Sequence, residues 1–336
     1  MVVTEMPTLT GDDFERSAAR MRRELLAHCY QMLGSVHDAE DLVQETMLRA
    51  WRARDQYDPD RASLRTWLYK IATNACLTAL AGRSRRPLPS GLGTAWDDAE
   101  APLADGHEVP WLQPFPDALL GSDPAAALLA SGRLRLALIA AMQLLPPRQR
   151  AILILREALS LPAAEVADVL DTSPAAVNSG LQRARATLAS VAVDEQQLGQ
   201  PADAASRRLI DQYVAAFQRA DIAGLKRLLA EEVILEMPPF RNWYRGSADY
   251  ARFISRVFAL RGTDWRMRPA AANGQPAVAA YARSPDGGYG LHTLWVFATS
   301  GGYIDRNVVF SDPVVFDLFG LDRTIGPEPA AEGARW

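Results

Sequence analysis

The sequence predicts a multidomain chain: an all-α bundle, an all-α helix-turn-helix domain, and then an α+β domain. Three observations predict this order. Apolar residues recur at helical spacing from Gly11 to Gly82, with proline confined to the Asp58-Pro59 turn. Helical periodicity resumes from Ala125 to Val193, broken at Pro146-Pro147, at Ser160 to Pro162 and at Asp171 to Pro174. After the polar connector DEQQLGQPAD, one helical hairpin (Ser206 to Ala230) gives way to alternating β-prone runs near 233–237, 264–271, 276–283, 290–299 and 302–310. The domains so read are 11–86, 125–193 and 204–322, with a linker at 87–124 and a tail at 323–336.

At 336 residues and 49% apolar content the chain can bury two or three cores. No positively charged leader precedes an apolar stretch, and no apolar run approaches a membrane span, which places the protein in the cytoplasm with no membrane partner. Cys29 and Cys76 lack metal-ligand spacing and read as buried small hydrophobes; no metal or other cofactor is expected. The net charge of -4 hides a segregation. Every charged side chain between Gly91 and Asp123 is acidic: Asp97, Asp98, Glu100, Asp105, Glu108, Asp117 and Asp123. Arginines flank this stretch, Arg83, Arg85 and Arg86 before it and Arg148, Arg150, Arg183 and Arg185 after. The linker also carries WLQPFPDALL, whose bulky groups a solvated tether would not need, so it should dock.

In DAEDLVQETMLRAW, Ala39, Leu42, Val43, Thr46 and Ala50 form a core-facing stripe, leaving Glu40, Asp41, Gln44 and Glu45 outward as a solvated face or a docking surface. In the next helix Ser63 is the N-cap, and Leu64, Trp67, Leu68, Ile71, Ala72 and Ala75 face inward. Arg65, Thr66, Lys70, Thr73 and Asn74 then face outward: cations neutralise phosphates and an amide can read a base edge. Tyr57 and Trp67 suit either core packing or a pocket for an unstacked base. Between 149 and 190, Glu165 to Leu170 form a short helix, Asp171-Thr172 a turn, and Ser173-Pro174 an N-cap with proline at the first helical position. Val177, Leu181, Ala184 and Leu188 lie on the inner face of the second helix; Ala176, Asn178, Ser179, Gln182, Arg183 and Arg185 lie outside, where amides and arginines can read a major groove.

DAEDLVQETMLRAW, SLRTWLYKIATNACL and EVADVLDTSPAAVNSGLQRARATL, in this order, resemble regions two and four of extracytoplasmic-function (ECF) RNA polymerase sigma factors over residues 12 to 192. The resemblance implies a monomer whose partners are core RNA polymerase, through its clamp helices and flap, and promoter DNA. Glu40, Asp41, Gln44 and Glu45 would dock on the clamp helices. The loop Tyr57 to Ser63, with Asp58, would capture bases of the melted minus-ten element together with Asn74, and Arg65, Trp67, Lys70, Arg83, Arg85 and Arg86 would hold that strand. Ser173 and the outer residues of the second helix would read the minus-thirty-five element. As in related factors, the acidic linker would thread a polymerase channel. Departures are Pro162, Asn178 and Gly180, the last costing about 1 kcal/mol of helix propensity.

LIDQYVAAFQRADIAGLKRLLAEEV and GGYIDRNVVFSDP resemble a SnoaL-like, nuclear-transport-factor-like cone, which some members of this family carry behind a linker with a similar WLxPxPD stretch. Trp111, Leu112, Pro114, Pro116 and Asp117 would make the interdomain contact, and the cone would regulate the sigma modules in cis. Trp243, Tyr244, Tyr281, His292, Trp295 and Asp305 are candidate linings of a pocket for an unknown small molecule. His292 and Asp305 would make a base and its orienter in an enzyme, but no nucleophile motif accompanies them, and no catalytic residue is expected. A one-component helix-turn-helix regulator with a ligand-sensing cone is the rival reading, but it leaves residues 38–86 unexplained.

Overall fold

The structure, a computed structural model, describes residues 11–121, 134–190 and 204–326. They form two compact units, each discontinuous in sequence, and the division passes through the helix Leu136–Met142.

The first unit begins with three helices, α1 (Gly11–Leu33), α2 (Val36–Arg52) and α3 (Leu64–Leu80). Gly34 turns the chain with φ 68°, a conformation cheap only for glycine, and Ser35 caps α2 by accepting the Asp38 amide at 3.2 Å. Ser63 caps α3 in the same way, accepting from Thr66 N at 3.1 Å. α2 buries Val36, Ala39, Val43, Thr46 and Ala50. On α3 the buried stripe is rotated from the one read by periodicity: Leu68, Tyr69, Ala72, Thr73, Ala75 and Cys76 are inside, while Leu64, Trp67 and Ile71 are half-buried. Thr73, expected outward, is fully buried. The reason lies in α1, whose inward polar groups need partners: His28 Nε2 meets Thr73 Oγ1 at 3.0 Å, and Tyr69 donates to Glu24 at 3.3 Å.

The helices α4 (Leu136–Met142), α5 (Pro147–Leu153), α6 (Ala163–Val169) and α7 (Pro174–Ser190) follow. Ser173 caps α7, accepting from Ala176 N at 3.2 Å, and Val177, Gly180, Leu181, Ala184 and Leu188 are buried. Gly180 has a packing function: a Cβ there would stand 2.6 Å from Ile152 Cδ1, so its absence lets α7 approach α5. Arg150 is 3% exposed and donates to the carbonyls of Met32, Gln143 and Leu145 and to the Gln143 side chain, joining the first turn of α5 to the last turn of α1. Its guanidinium therefore neutralises the negative end of α1.

The second unit contains α8 (Ala204–Gln218), α9 (Ile222–Leu228), β1 (Leu229–Glu236), β2 (Trp243–Arg245), α10 (Ser247–Arg261), β3 (Trp265–Ala272), β4 (Gln275–Arg283), β5 (Tyr289–Ser300), β6 (Tyr303–Phe310), α11 (Pro313–Leu318) and β7 (Thr324–Ile325). The sheet order is β2-β1-β6-β5-β4-β3, with β7 paired to β5; β1 and β6 run parallel and the other pairs antiparallel. The helices pack on the sheet around Tyr213, Phe217, Tyr250, Trp265, Trp295 and Phe297. Within this core the Tyr213 and Tyr250 hydroxyls meet at 2.6 Å and Asn307 Nδ2 donates to Tyr250 at 2.7 Å.

The acidic segment belongs to this second unit and packs along it as a strap, residues 85–119. Leu112 and Phe115 are buried, and Pro116 makes an antiparallel bridge with Ala272. Asn273, left-handed at φ 58°, accepts from Phe115 N at 2.8 Å and donates to Leu134 O at 2.6 Å, while its own N–H reaches Phe115 O. Upstream, Ser90 N donates to the fully buried Glu236, which also takes Arg306 at 2.5 Å. Glu108 pairs with Arg241, and Trp96 N donates to Trp243 O. Asp117 accepts from Gly274 N at 2.9 Å, but burial pushes its carboxyl up to about 6. The native state thus binds more protons than the unfolded chain between the ordinary carboxylate range and about pH 6, and this group stabilises folding less as pH rises through that window. Asp117→Asn retains an accepting oxygen without the charge. In thermal melts it is expected to stabilise the second unit by up to about 3 kcal/mol at neutral pH and by nothing once both states are protonated, near pH 3.

Candidate functional site

The candidate interface of the first unit consists of three surfaces. On α2, Asp41 and Gln44 are exposed, and Glu40 and Glu45 are half-exposed, Glu45 holding Arg49 at 2.6 Å. Beside them the sequence reading missed two residues: Leu48 is 57% exposed and Trp51 37%, with the Arg54 guanidinium 4.3 Å over the Trp51 ring. Their signal was present, since both fall off the buried stripe of α2 while being large and apolar.

The second surface is the loop between α2 and α3 with the outward face of α3. Tyr57 packs against Trp67 with ring centroids 5.3 Å apart, and Phe14 meets Trp67 in an edge-on contact at 6.2 Å. Both residues are half-buried. Burial and the neighbouring Asp58 raise the Tyr57 hydroxyl, so it stays a neutral donor. Asp58 turns the loop by accepting from Asp60 N at 3.0 Å, and Asn74 is half-exposed one turn beyond Lys70. Arg65 leans on Glu24 at 3.1 Å and over the Tyr69 ring. Lys70 donates to Asp168 O at 2.6 Å and to the Asp171 carboxylate at 3.1 Å, and Thr66 donates to Glu165 at 3.2 Å. Lys70 and Thr66 of α3 are therefore already partnered by α6 and its following turn, while Arg65 is held by Glu24 of α1. A polar cavity of about 700 Å³ lies at this junction, lined by Asp58, Arg61, Trp67, Lys70, Asp168 and Asp171 among others. The basic cluster divides: Arg83 pairs with Asp38 at 3.2 Å in the first unit, while Arg85 and Arg86 donate to the carbonyls of Gly91 and Trp111 in the strap.

The third surface is α7. Ala176, Asn178, Ser179, Gln182, Arg183 and Arg185 are all exposed along its outer side. Arg183 donates to Ser179 at 2.7 Å and Arg185 pairs with Glu157, both contacts at the solvent edge.

Residues 18–86 match the family Sigma-70 region 2, residues 135–188 match Sigma-70, region 4, and residues 210–315 match the SnoaL-like domain. Over 316 residues the chain is 46% identical to the ECF RNA polymerase sigma factor SigG of Mycobacterium tuberculosis, covering 92% of this chain and 84% of that protein. The chain belongs to the ECF RNA polymerase sigma factors. It is also 29% identical over 241 residues to the ECF sigma factor SigJ of the same species, covering 70% of each. The crystal structure of M. tuberculosis SigJ superposes with a TM-score of 0.64 at 25% identity, over 92% of this chain and 99% of that one. Family membership accounts for residues 38–86, which the reading as a one-component regulator left idle. No helix among the described residues of this sigma factor is long and apolar enough to cross a membrane.

In the SnoaL-like domain the expected pocket residues separate. His292 and Trp295 line a cavity of about 290 Å³ between α10 and the sheet. Trp243 instead turns its indole N–H to Gly93 O in the strap, and Tyr244 lies in the core with its ring against Phe253. Tyr281 belongs to a second small cluster with Ala279 and Tyr289. On β6 Asp305 stands opposite the Ala298–Thr299 irregularity of β5, at the other end of that strand from His292, so it cannot orient His292 as a catalytic partner would. Strand alternation explains the error: it tells which residues share a face, but not which of two faces the helices cover.

Proposed function

We propose that this sigma factor docks on core RNA polymerase through the outward face of α2, holds separated promoter bases with the Tyr57–Ser63 loop and α3, and reads upstream duplex with α7. Exposed Asp41 and Gln44 beside exposed Leu48 combine charge steering with apolar area, as a protein interface requires. Tyr57 and Trp67 offer a partly open aromatic pair for an unstacked base, with the Asn74 amide nearby on the same helix.

The observation that carries the regulatory part is the partnering of α3. Lys70 and Thr66 cannot serve promoter phosphates while they are bonded to Asp168, Asp171 and Glu165. The compact first unit is therefore a closed state, and engagement of DNA exchanges these acidic partners for phosphates. The SnoaL-like domain regulates this exchange in cis by holding the strap that joins the two sigma modules in sequence.

Co-elution with purified core enzyme tests the anchor. The double substitution Asp41→Lys with Glu45→Lys is expected to weaken association by about tenfold or more, a change read mainly in salt-sensitive association. Undiminished association would refute the placement of the anchor on α2. In run-off transcription, Glu165→Gln combined with Asp171→Asn is expected to raise initiation by favouring the open state; unchanged initiation would remove the closed-state reading.

A further inference from the structure

The cavity beneath α10 has a wall that the SnoaL-like domain does not supply. Leu103, from the strap, lines it together with residues of β1, α10 and the central strands. The strap is fixed at that point by several bonds: Arg256, itself a lining residue, donates to Ala99 O at 2.9 Å and Ala101 O at 2.6 Å, and Asn242 accepts from Ala104 N at 2.5 Å. Ala99 is buried in the same core, with Trp96 and Leu103 packed against it. Occupancy of the cavity and docking of the strap therefore share a surface.

The lining chemistry selects an occupant. Most of the wall is aliphatic or aromatic, including Leu235, Phe253, Ile254, Trp265 and Trp295. The uncharged polar side chains of its wall, His292, Thr293 and Ser311, each carry an N–H or O–H that can donate. Thr293 Oγ1 accepts from Trp295 Nε1 at 2.6 Å, which leaves its own hydrogen available. The His292 ring packs edge-on to Trp265 and has no hydrogen-bond partner among the described residues; burial, reinforced by Arg261, lowers its pKa to about 4, so at neutral pH it keeps one N–H and one lone pair. Arg256 and Arg261 stand at the wall, and among the described residues no carboxylate does. A volume near 290 Å³ suits a molecule of about a dozen non-hydrogen atoms.

We propose that this cavity is a binding site for a small hydrophobic carboxylate, with its apolar body between α10 and the sheet and its head toward His292 and Arg261, and that the Leu103 wall makes the bound molecule a clamp on the strap. Binding of the carboxylate then stabilises strap docking by the same factor by which the docked strap raises its affinity.

The test uses the full chain and β-naphthoate as probe, with β-naphthamide and β-naphthylmethylammonium as neutral and cationic counterparts, in titration calorimetry. The carboxylate is expected to bind about tenfold or more tightly than either counterpart. Arg261→Glu, at an exposed position, should reduce that preference, and Leu103→Asp should weaken the carboxylate about tenfold. β-Naphthoate should also slow hydrogen exchange of the amides in 99–104. Unaltered melting curves of both variants establish that they fold. Absence of binding at millimolar probe, equal binding of the amide, or binding that ignores Leu103→Asp and leaves strap exchange unchanged would each overturn the proposal. The measurement needs no polymerase, so its outcome is independent of the α2 anchor.

Discussion

An Asn273→Ala variant is expected to release the strap from the SnoaL-like domain and to lower the stability of that unit by about 3–5 kcal/mol. Asn273 is fully buried, and its side chain satisfies two backbone groups, Phe115 N–H and Leu134 C=O, that lie on the two arms of the segment joining the sigma modules. Removing it leaves a donor and an acceptor without partners, each costing roughly 1–3 kcal/mol when no water replaces the side chain. Alanine at φ 58° adds about 1 kcal/mol or more of backbone strain, which glycine avoids. The pair Asn273→Ala and Asn273→Gly thus separates the two contributions: the loss common to both measures the bonds, the difference measures the backbone. Hydrogen exchange at Phe115 and thermal melting are the readouts. An Ala variant whose Phe115 amide exchanges as slowly as in the parent would contradict the assignment.

A comparable loss is expected in the first unit from Arg150→Met. Methionine fills much of the volume but leaves the carbonyls of Met32, Gln143 and Leu145 without their donor. Burial lowers the arginine only to about 10, so it is charged at neutral pH and its bonds are charge-assisted. The expected cost is about 3–5 kcal/mol, seen as a lower urea midpoint. Arg150→Lys should recover only part of it, because a single ammonium cannot span acceptors on α1 and on the turn after α4. A methionine variant as stable as the parent would mean that the carbonyls are satisfied in another way.

Much of the fold was legible because it follows from periodicity. The inward stripe of α2 apart from half-buried Leu42, the inner and outer faces of α7, and the caps at Ser63 and Ser173 lie where spacing and N-cap chemistry put them. Two departures share one cause, the need of a buried polar group for a specific partner far away in sequence. Thr73 reads as outward until His28 on α1 is known to need it. Glu236 falls in an alternating β-prone run that gives no sign of its burial, yet it is fully buried because Arg306 and Ser90 N meet it from a neighbouring strand and from the strap. α10 went unread between Phe240 and Asp264 although Tyr250, Ile254 and Phe258 repeat every four residues; Gly246 at φ 99° replaces the side-chain cap that would have announced its start. The candidate site was legible in its residue types, but the partnering of Lys70 with α6 was not, because no local pattern encodes contacts 98 to 101 positions apart.

The strap and the strands that hold it are far apart in the order of synthesis. Phe115 emerges 158 positions before Asn273. At bacterial elongation rates of roughly 5–20 residues per second, the nascent polypeptide carries WLQPFPD unclaimed for on the order of ten to thirty seconds. Before that interval ends the first three helices and the helix-turn-helix have both left the ribosome, so any control exerted by the last domain is a late acquisition of each newly made molecule.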